Sequence, residues 1–149
     1  MFHVSCFMTL IGPRGYGYEQ IKKEIEASPY KNDIQELGWL DLETMTEYLK
    51  NAGVFVFPSL YEGFGMPLLE SFAAGAPVVA SDIPALREVG ADVPLYANPD
   101  DPKSIANAAY TLLTDDALHT RKIAEGFRHA EKYSWREAAK RTLDIFSSA

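Results

Sequence analysis

The sequence predicts an α/β fold, a doubly wound parallel sheet of about five strands with extra helices at the C-terminal end. Three observations predict it. Short β-branched and aromatic runs alternate with amphipathic helical stretches as far as Ala97. Beyond Asn98 the pattern turns wholly helical. Between them, residues 54–82 read as strand, loop, helix, turn and strand, the repeating unit of parallel sheets with right-handed crossovers.

Taken in order, residues 6–11 read as a buried first strand that runs into the glycine-rich turn Gly12-Pro13-Arg14-Gly15-Tyr16-Gly17. Residues 18–27 make a helix with Ile21 and Ile25 on one face and charged residues elsewhere, closed by Pro29. Residues 34–39 are a second strand. Residues 43–52 are helical, with Met45, Tyr48, Leu49 and Ala52 at the right spacing. The third strand, residues 54–57, ends at Pro58, and the loop that follows carries Glu62, Gly63 and Gly65. Pro67 suits the first position of the next helix and Gly75 its end. A fourth strand at 78–80, a short helix at 84–89 and a last strand at 93–97 complete the sheet. Asp101 is the expected N-cap of a helix opened by Pro102, whose apolar face is Ile105, Ala108, Ala109, Leu112 and Leu113. Residues 117–132 form another helix. Ser134-Trp135-Arg136-Glu137 has the spacing of a capping box, and the final helix carries the stripe Trp135, Ala138, Ala139, Thr142, Leu143 and Phe146. No repeat or linker interrupts the chain, so residues 1–149 read as one Rossmann-like domain.

Bulk properties narrow the function. At 149 residues and 47% hydrophobic, the chain can bury a core of its own. A formal net charge of −7 argues against a general nucleic-acid or anionic-membrane surface. The single cysteine, Cys6, excludes an internal disulfide, fits a reducing compartment and is expected to be a small core residue. No apolar stretch approaches the ~20 residues that span a bilayer, and the first residues lack the basic region of a signal peptide. The expected location is cytoplasmic.

Ligands of open parallel sheets sit beyond the carboxyl ends of the strands, which places chemistry at the Glu62 loop. Glu62 and Glu70 flank this loop and the first turn of its helix, whose positive end faces the loop. Two carboxylates on one rim accept vicinal hydroxyls well, since each takes two O–H donors in a fork. That suits a sugar or a ribose. Gly63 and Gly65 would let backbone amides approach such a ligand closely. Spacing alone leaves the bland reading equally open, with Glu70 a dipole-matched surface residue and Glu62 a solvated loop residue.

The run Glu62-Gly63-Phe64-Gly65-Met66-Pro67-Leu68-Leu69-Glu70, followed by Ala73-Ala74-Gly75-Ala76-Pro77-Val78-Val79-Ala80-Ser81-Asp82, resembles the signature of retaining GT-B glycosyltransferases of the "glycosyl transferases group 1" family. The likeness extends from about Phe7 to the end. Gly12-Pro13-Arg14-Gly15-Tyr16-Gly17 resembles the family's post-strand loop, and Gly38-Trp39-Leu40-Asp41 its base-binding turn. Pro84–Val89, Asp100-Asp101-Pro102 and Tyr133-Ser134-Trp135 stand in family order. The resemblance implies the Rossmann-like C-terminal half of a GT-B fold, which holds a nucleotide-diphosphate sugar and transfers its hexose, with no metal or other cofactor generally required. It implies that Glu62, the catalytic candidate, holds hydroxyls of the transferred sugar. Gly63, Phe64, Gly65 and Met66 line the donor site, and the amides of Phe64, Gly65 and Met66 contact sugar and diphosphate. Glu70 accepts from both ribose hydroxyls, Leu40 meets the base through its backbone, and Gly12 lines the same cleft. The Gly12 loop with Tyr16 is closest in character to mannosyl- or glucosyltransferase members.

Two pieces that the resemblance calls for are missing. The family's diphosphate-binding Arg and Lys precede the first strand seen here, which leaves Arg14, on a different loop, as the nearest cation. The N-terminal acceptor-binding domain and its His are also absent. The expectation is therefore a donor-binding domain that is N-terminally truncated, partnered by the missing domain in cis or in trans, and inactive alone. Its final helix is expected to lie near the domain junction, where an exposed stripe would favour self-association. His3, His119 and His129 match no family position and are expected at the surface. Tyr16 and Tyr18 suit the cover of a helix start at least as well as the donor cleft. Packing beside the sheet is preferred for Trp39 to stacking on a base, and capping of the helix at 84–89 is preferred for Ser81-Asp82 to reaching ligand. The alternative function, from another class, is a non-catalytic nucleotide-sugar-binding module of a split enzyme, or an inactive fragment. A dinucleotide oxidoreductase lacks its Gly-x-Gly-x-x-Gly motif here, a receiver domain its acidic cluster, and a P-loop enzyme its Gly-Lys-Ser/Thr.

Overall fold

A computed structural model of the chain describes residues 6–148. The chain divides into two compact units, residues 1–45 and 46–149, with the division inside one helix.

The first unit contains β1 (Met8–Ile11), α1 (Tyr18–Ala27), a 3-10 turn at Lys31–Asp33 and β2 (Ile34–Gly38). β1 and β2 run parallel, from Met8 opposite Ile34 to Ile11 opposite Gly38, with an irregularity between Leu10 and Ile11. α1 starts after Gly17, whose φ of 80° is in the left-handed region that glycine tolerates. With one helix over two strands, the unit has too little cover to close a core. None of its described residues is buried, and Phe7, Trp39 and Leu42 are largely exposed. The expectations that Cys6 is a core residue and that Trp39 packs beside the sheet are corrected, since both are exposed. So is that of a buried first strand: none of residues 6–11 is buried, because one helix cannot cover the two strands. α2 (Leu42–Lys50) spans the division, and Leu49 is its buried residue.

The second unit carries the core. It comprises β3 (Phe55–Phe57), α3 (Met66–Ala74), β4 (Val78–Ser81), α4 (Pro84–Gly90), β5 (Leu95–Ala97), α5 (Pro102–Thr114), α6 (Asp116–Ala130) and α7 (Trp135–Ser148). The three strands are parallel in the order β3-β4-β5, and the central strand, β4, is buried along its whole length. Alternation along the strands sorts the side chains to two faces. Phe55, Phe57, Val78 and Ala80 meet Leu68, Leu69 and Phe72 of α3 and Leu86 and Val89 of α4. Val54, Val56, Val79 and Leu95 meet Ile105, Ala108, Ala109 and Leu112 of α5 and Leu118 of α6. Helices therefore cover both faces, which is the doubly wound arrangement. α6 also packs on α3, where a Cβ at Gly126 would sit 3.3 Å from the Phe72 ring.

The described residues thus hold five strands, parallel within each of two hydrogen-bonded groups, β1-β2 in the first unit and β3-β4-β5 in the second. β3 has three residues and is followed by Pro58, which has no N–H to extend a ladder. Helix ends follow local chemistry closely. Asp101 Oδ1 accepts from the Lys103 amide at 2.9 Å, and Gly75 ends α3 in the left-handed conformation. Half of the capping box forms: the Glu137 amide donates to Ser134 Oγ at 3.1 Å, while the Glu137 carboxylate turns to Arg141 Nε at 3.2 Å. α7 buries none of its side chains, leaving Trp135, Leu143 and Phe146 of its stripe exposed. Among the described residues, no helix is long and apolar enough to cross a membrane.

Candidate functional site

In the second unit, the Phe57-Pro58 end of β3 delivers the chain into the Ser59–Gly65 loop, and α3 begins at Met66. Glu62 is half-buried in this loop, and its carboxylate accepts a hydrogen bond from Ser59 Oγ at 2.8 Å. Glu70 is the fifth residue of α3 and is exposed, on the face it shares with Met66 four residues before it. Its neighbours Leu68, Leu69, Ser71 and Phe72 are buried, so the helix turns its apolar side to the core and this face outward. Gly63, Phe64 and Met66 are exposed.

The start of α3 has unsatisfied donors. It carries no side-chain cap, and Pro67 supplies no N–H. Among the described residues, the amides of Phe64 and Gly65 donate to no protein group. Orphan amides at a positive helix end attract anionic or hydroxyl oxygen atoms. Gly65 is buried at φ 93°, and a Cβ there would lie 2.5 Å from Leu86 Cδ2. Its lack of a side chain is required by the core, whereas Gly63 faces open space. Phe64 is held from behind, with its ring edge-on to Tyr133 at 6.2 Å between centroids. Tyr133 and His129 both reach the Val89 carbonyl, and the His129 ring is edge-on to Phe72.

That places His129 against expectation. It is buried, because α6 lays it across α3 and the end of α4, with Nε2 2.7 Å from the Val89 oxygen. His119 Nε2 lies 3.1 Å from the Gly53 carbonyl, and His3 lies outside the described residues. The expected cap of α4 is corrected as well. Ser81 is buried and Ile83 is the N-cap, while Asp82 forms a two-pronged pair with Arg87 at 2.7 and 2.8 Å. The Arg87 guanidinium also lies 3.9 Å from the Tyr96 ring centroid. Burial is the main cause that pushes the Tyr96 phenol up to about 12.

The Arg87 hydrogen bonds hold the Asp82 carboxyl below its ordinary value. Because the folded pKa is the lower one, the pair stabilises the fold above the unfolded pKa, and this contribution is lost as pH falls through the folded pKa. Thermal melts of the wild type and Asp82→Asn are therefore expected to differ at pH 7 and to converge below the normal carboxylate range of about 4. A gap that persists unchanged in acid would assign the difference to packing instead.

In the first unit, Ile11 pairs with Gly38, so Gly12 and Leu40 each follow the C-terminal end of one of the two paired strands. The Gly12 amide donates to the Gly38 carbonyl at 2.8 Å, which sets Gly12 against the turn that carries Leu40. Asp41 caps α2 through the Thr44 amide at 2.8 Å, and that bond is the first cause of its lowered pKa. Gly12 lines a cavity of about 440 Å³ with Arg14, Tyr18, Glu36 and Gly38 among its walls. Arg14 places its guanidinium 4.6 Å from the Tyr18 ring centroid, and Tyr16 is fully exposed.

Sequence reasoning gives neither the Ser59 contact to Glu62 nor the Tyr133 contact to Phe64. A hydroxyl three residues before a loop carboxylate was a usable signal for the first. The second depends on a contact from a distant part of the chain.

A parallel sheet with helices on both faces and a carboxylate-bearing loop beyond its strand ends is the class of architecture found in GT-B glycosyltransferases. Anabaena HepE in complex with UDP-glucose matches 96% of this chain and 41% of its own, with a TM-score of 0.87 at 17% identity. Sucrose-phosphate synthase from Thermosynechococcus elongatus matches 95% of this chain and 39% of its own, with a TM-score of 0.82 at 23% identity. The chain belongs to the glycosyl transferases group 1 family, whose model matches residues 4–115. O-antigen chain mannosyltransferase B of Escherichia coli is 32% identical across 93% of this chain and 36% of its own length. The phosphatidyl-myo-inositol mannosyltransferase of Mycobacterium leprae is 32% identical across 97% of this chain and 40% of its own. The chain spans little more than a third of the length of the first of these relatives.

Proposed function

We propose that residues 1–149 form the donor-binding part of a retaining glycosyltransferase that takes a hexose from a nucleotide-diphosphate sugar. The observation that carries this reading is the uncapped start of α3 with a carboxylate on either side, Glu62 in the loop before it and Glu70 one turn along it. In this reading Glu70 accepts from both ribose hydroxyls and Glu62 from hydroxyls of the hexose. The amides of Phe64, Gly65 and Met66 face the sugar and the diphosphate. As the bond from the sugar to phosphate lengthens, positive charge builds on the sugar ring and negative charge on the leaving phosphate. Donors placed where that negative charge grows lower the barrier most. Gly12 and Leu40, in the first unit, are read by themselves as contacts to the nucleotide, Leu40 through its backbone to the base. Acceptor recognition is assigned to protein outside residues 1–149, because the relatives are much longer than the matched part.

Family membership, the relatives' names as mannosyltransferases and the UDP-glucose complex of HepE support the donor class. Calorimetric titration of the chain with GDP-mannose, UDP-glucose and ADP-glucose tests it. Saturable binding of at least one of them is expected, and heat from none would overturn the reading.

A further inference from the structure

We propose that Ser59 is a positioning residue for Glu62, holding its carboxylate in the orientation that receives the transferred sugar. This rests on the reading of Glu62 as a sugar ligand. Ser59 Oγ donates to Glu62 Oε1 at 2.8 Å, and both residues are half-buried. Among the described residues, no cation pairs with Glu62, so this hydroxyl is the group that fixes its carboxylate.

The geometry suits the task. Ser59 stands two residues past the end of β3, whose Phe55 and Phe57 are packed into the core and whose Phe55 amide bonds to the Pro77 carbonyl at 2.8 Å. It is thus the first polar side chain beyond a rigid strand. Glu62 lies further out in a loop, on a side chain with three rotatable bonds. A free glutamate would spread over several rotamers and lose that freedom on binding a sugar. The Ser59 bond removes much of that freedom in advance, and it engages Oε1, leaving Oε2 available to an incoming hydroxyl. A hydroxyl donor to a charged acceptor is among the stronger side-chain hydrogen bonds.

The test compares affinities for a nucleotide sugar and its bare nucleotide, GDP-mannose against GDP and UDP-glucose against UDP, by calorimetry on the whole chain. Ser59→Ala is expected to weaken nucleotide-sugar binding roughly three- to tenfold, with bare-nucleotide affinity unchanged. Ser59→Thr, which keeps the hydroxyl, is expected to restore most of the loss. In a Glu62→Gln background, Ser59→Ala should add little, because the two act through one carboxylate. If Ser59→Ala does not fold, Ser59→Cys reads the same ratio with a weak donor of similar size. Equal weakening of sugar nucleotide and bare nucleotide would assign Ser59 to loop structure and overturn the proposal. So would an unchanged ratio in Ser59→Ala when Glu62→Gln lowers it, and that result would leave the reading of Glu62 intact. A ratio that neither variant moves would overturn the reading of Glu62, and the proposal with it.

Discussion

Glu70→Ala is expected to weaken nucleotide-sugar binding about a hundredfold while leaving the fold intact. The reason is the asymmetry of the residue's position. Glu70 is exposed on α3 between buried Leu69 and Ser71, so its side chain fills no part of the core. Alanine is the best helix former, and no ion pair is lost among the described residues. Against that small structural effect stands the loss of a charged acceptor for two vicinal hydroxyls. Each such bond contributes roughly 1.5–3 kcal/mol, and the lower end for two bonds is about 3 kcal/mol, or two orders of magnitude in Kd. Melting temperature and affinity should therefore separate cleanly. Glu70→Gln, which keeps the shape and halves the acceptor capacity, is expected to lie between. Affinity that is unchanged in Glu70→Ala would remove this residue from the site.

Gly65→Ala is expected to do the opposite, damaging the fold first and binding second. The residue sits at φ 93° and ψ 49°, where a side chain costs about 1–2 kcal/mol. The new Cβ would also lie 2.5 Å from Leu86 Cδ2 and 3.8 Å from Phe57 Cε1. Leu86 is fully buried, so its displaced methyl must press on core neighbours rather than move into solvent. Overpacking of that kind adds roughly 1–3 kcal/mol. A total of about 2–5 kcal/mol should lower the melting temperature by roughly 4–20 °C for a chain of this size. Gly63→Ala, into open space, is the control and should melt near the wild type. Equal melting temperatures for the two variants would overturn both the backbone cost at Gly65 and the clash with Leu86.

The contrast between these two glycines shows what was legible. The sequence marks both as positions for close approach of a ligand. Gly63 remains open to that role, whereas the fold needs Gly65 for its own packing. The distinction depends on Leu86, twenty-one residues further along, and no local pattern contains it. Histidine 129 is a similar case. Its position near the end of a polar helix reads as surface, and the packing of α6 on α3 buries it. Asp82 had the composition of a cap, yet Arg87 five residues on offered two charged hydrogen bonds and took it.

By itself the sequence determined the alternation of strands and helices, the span Tyr18–Ala27, the Asp101-Pro102 start of α5, the Gly75 end of α3 and the family signature around Glu62 and Glu70. Those features are set by periodicity and caps, whose interactions reach three or four residues along the chain. Tertiary structure alone decided that the core gathers around β4, that Trp39 is exposed and His129 buried, that Leu86 forbids a side chain at Gly65, and that Tyr133 backs Phe64. Each of these depends on which distant surface arrives against the residue, and burial and contact are properties of that meeting rather than of either segment.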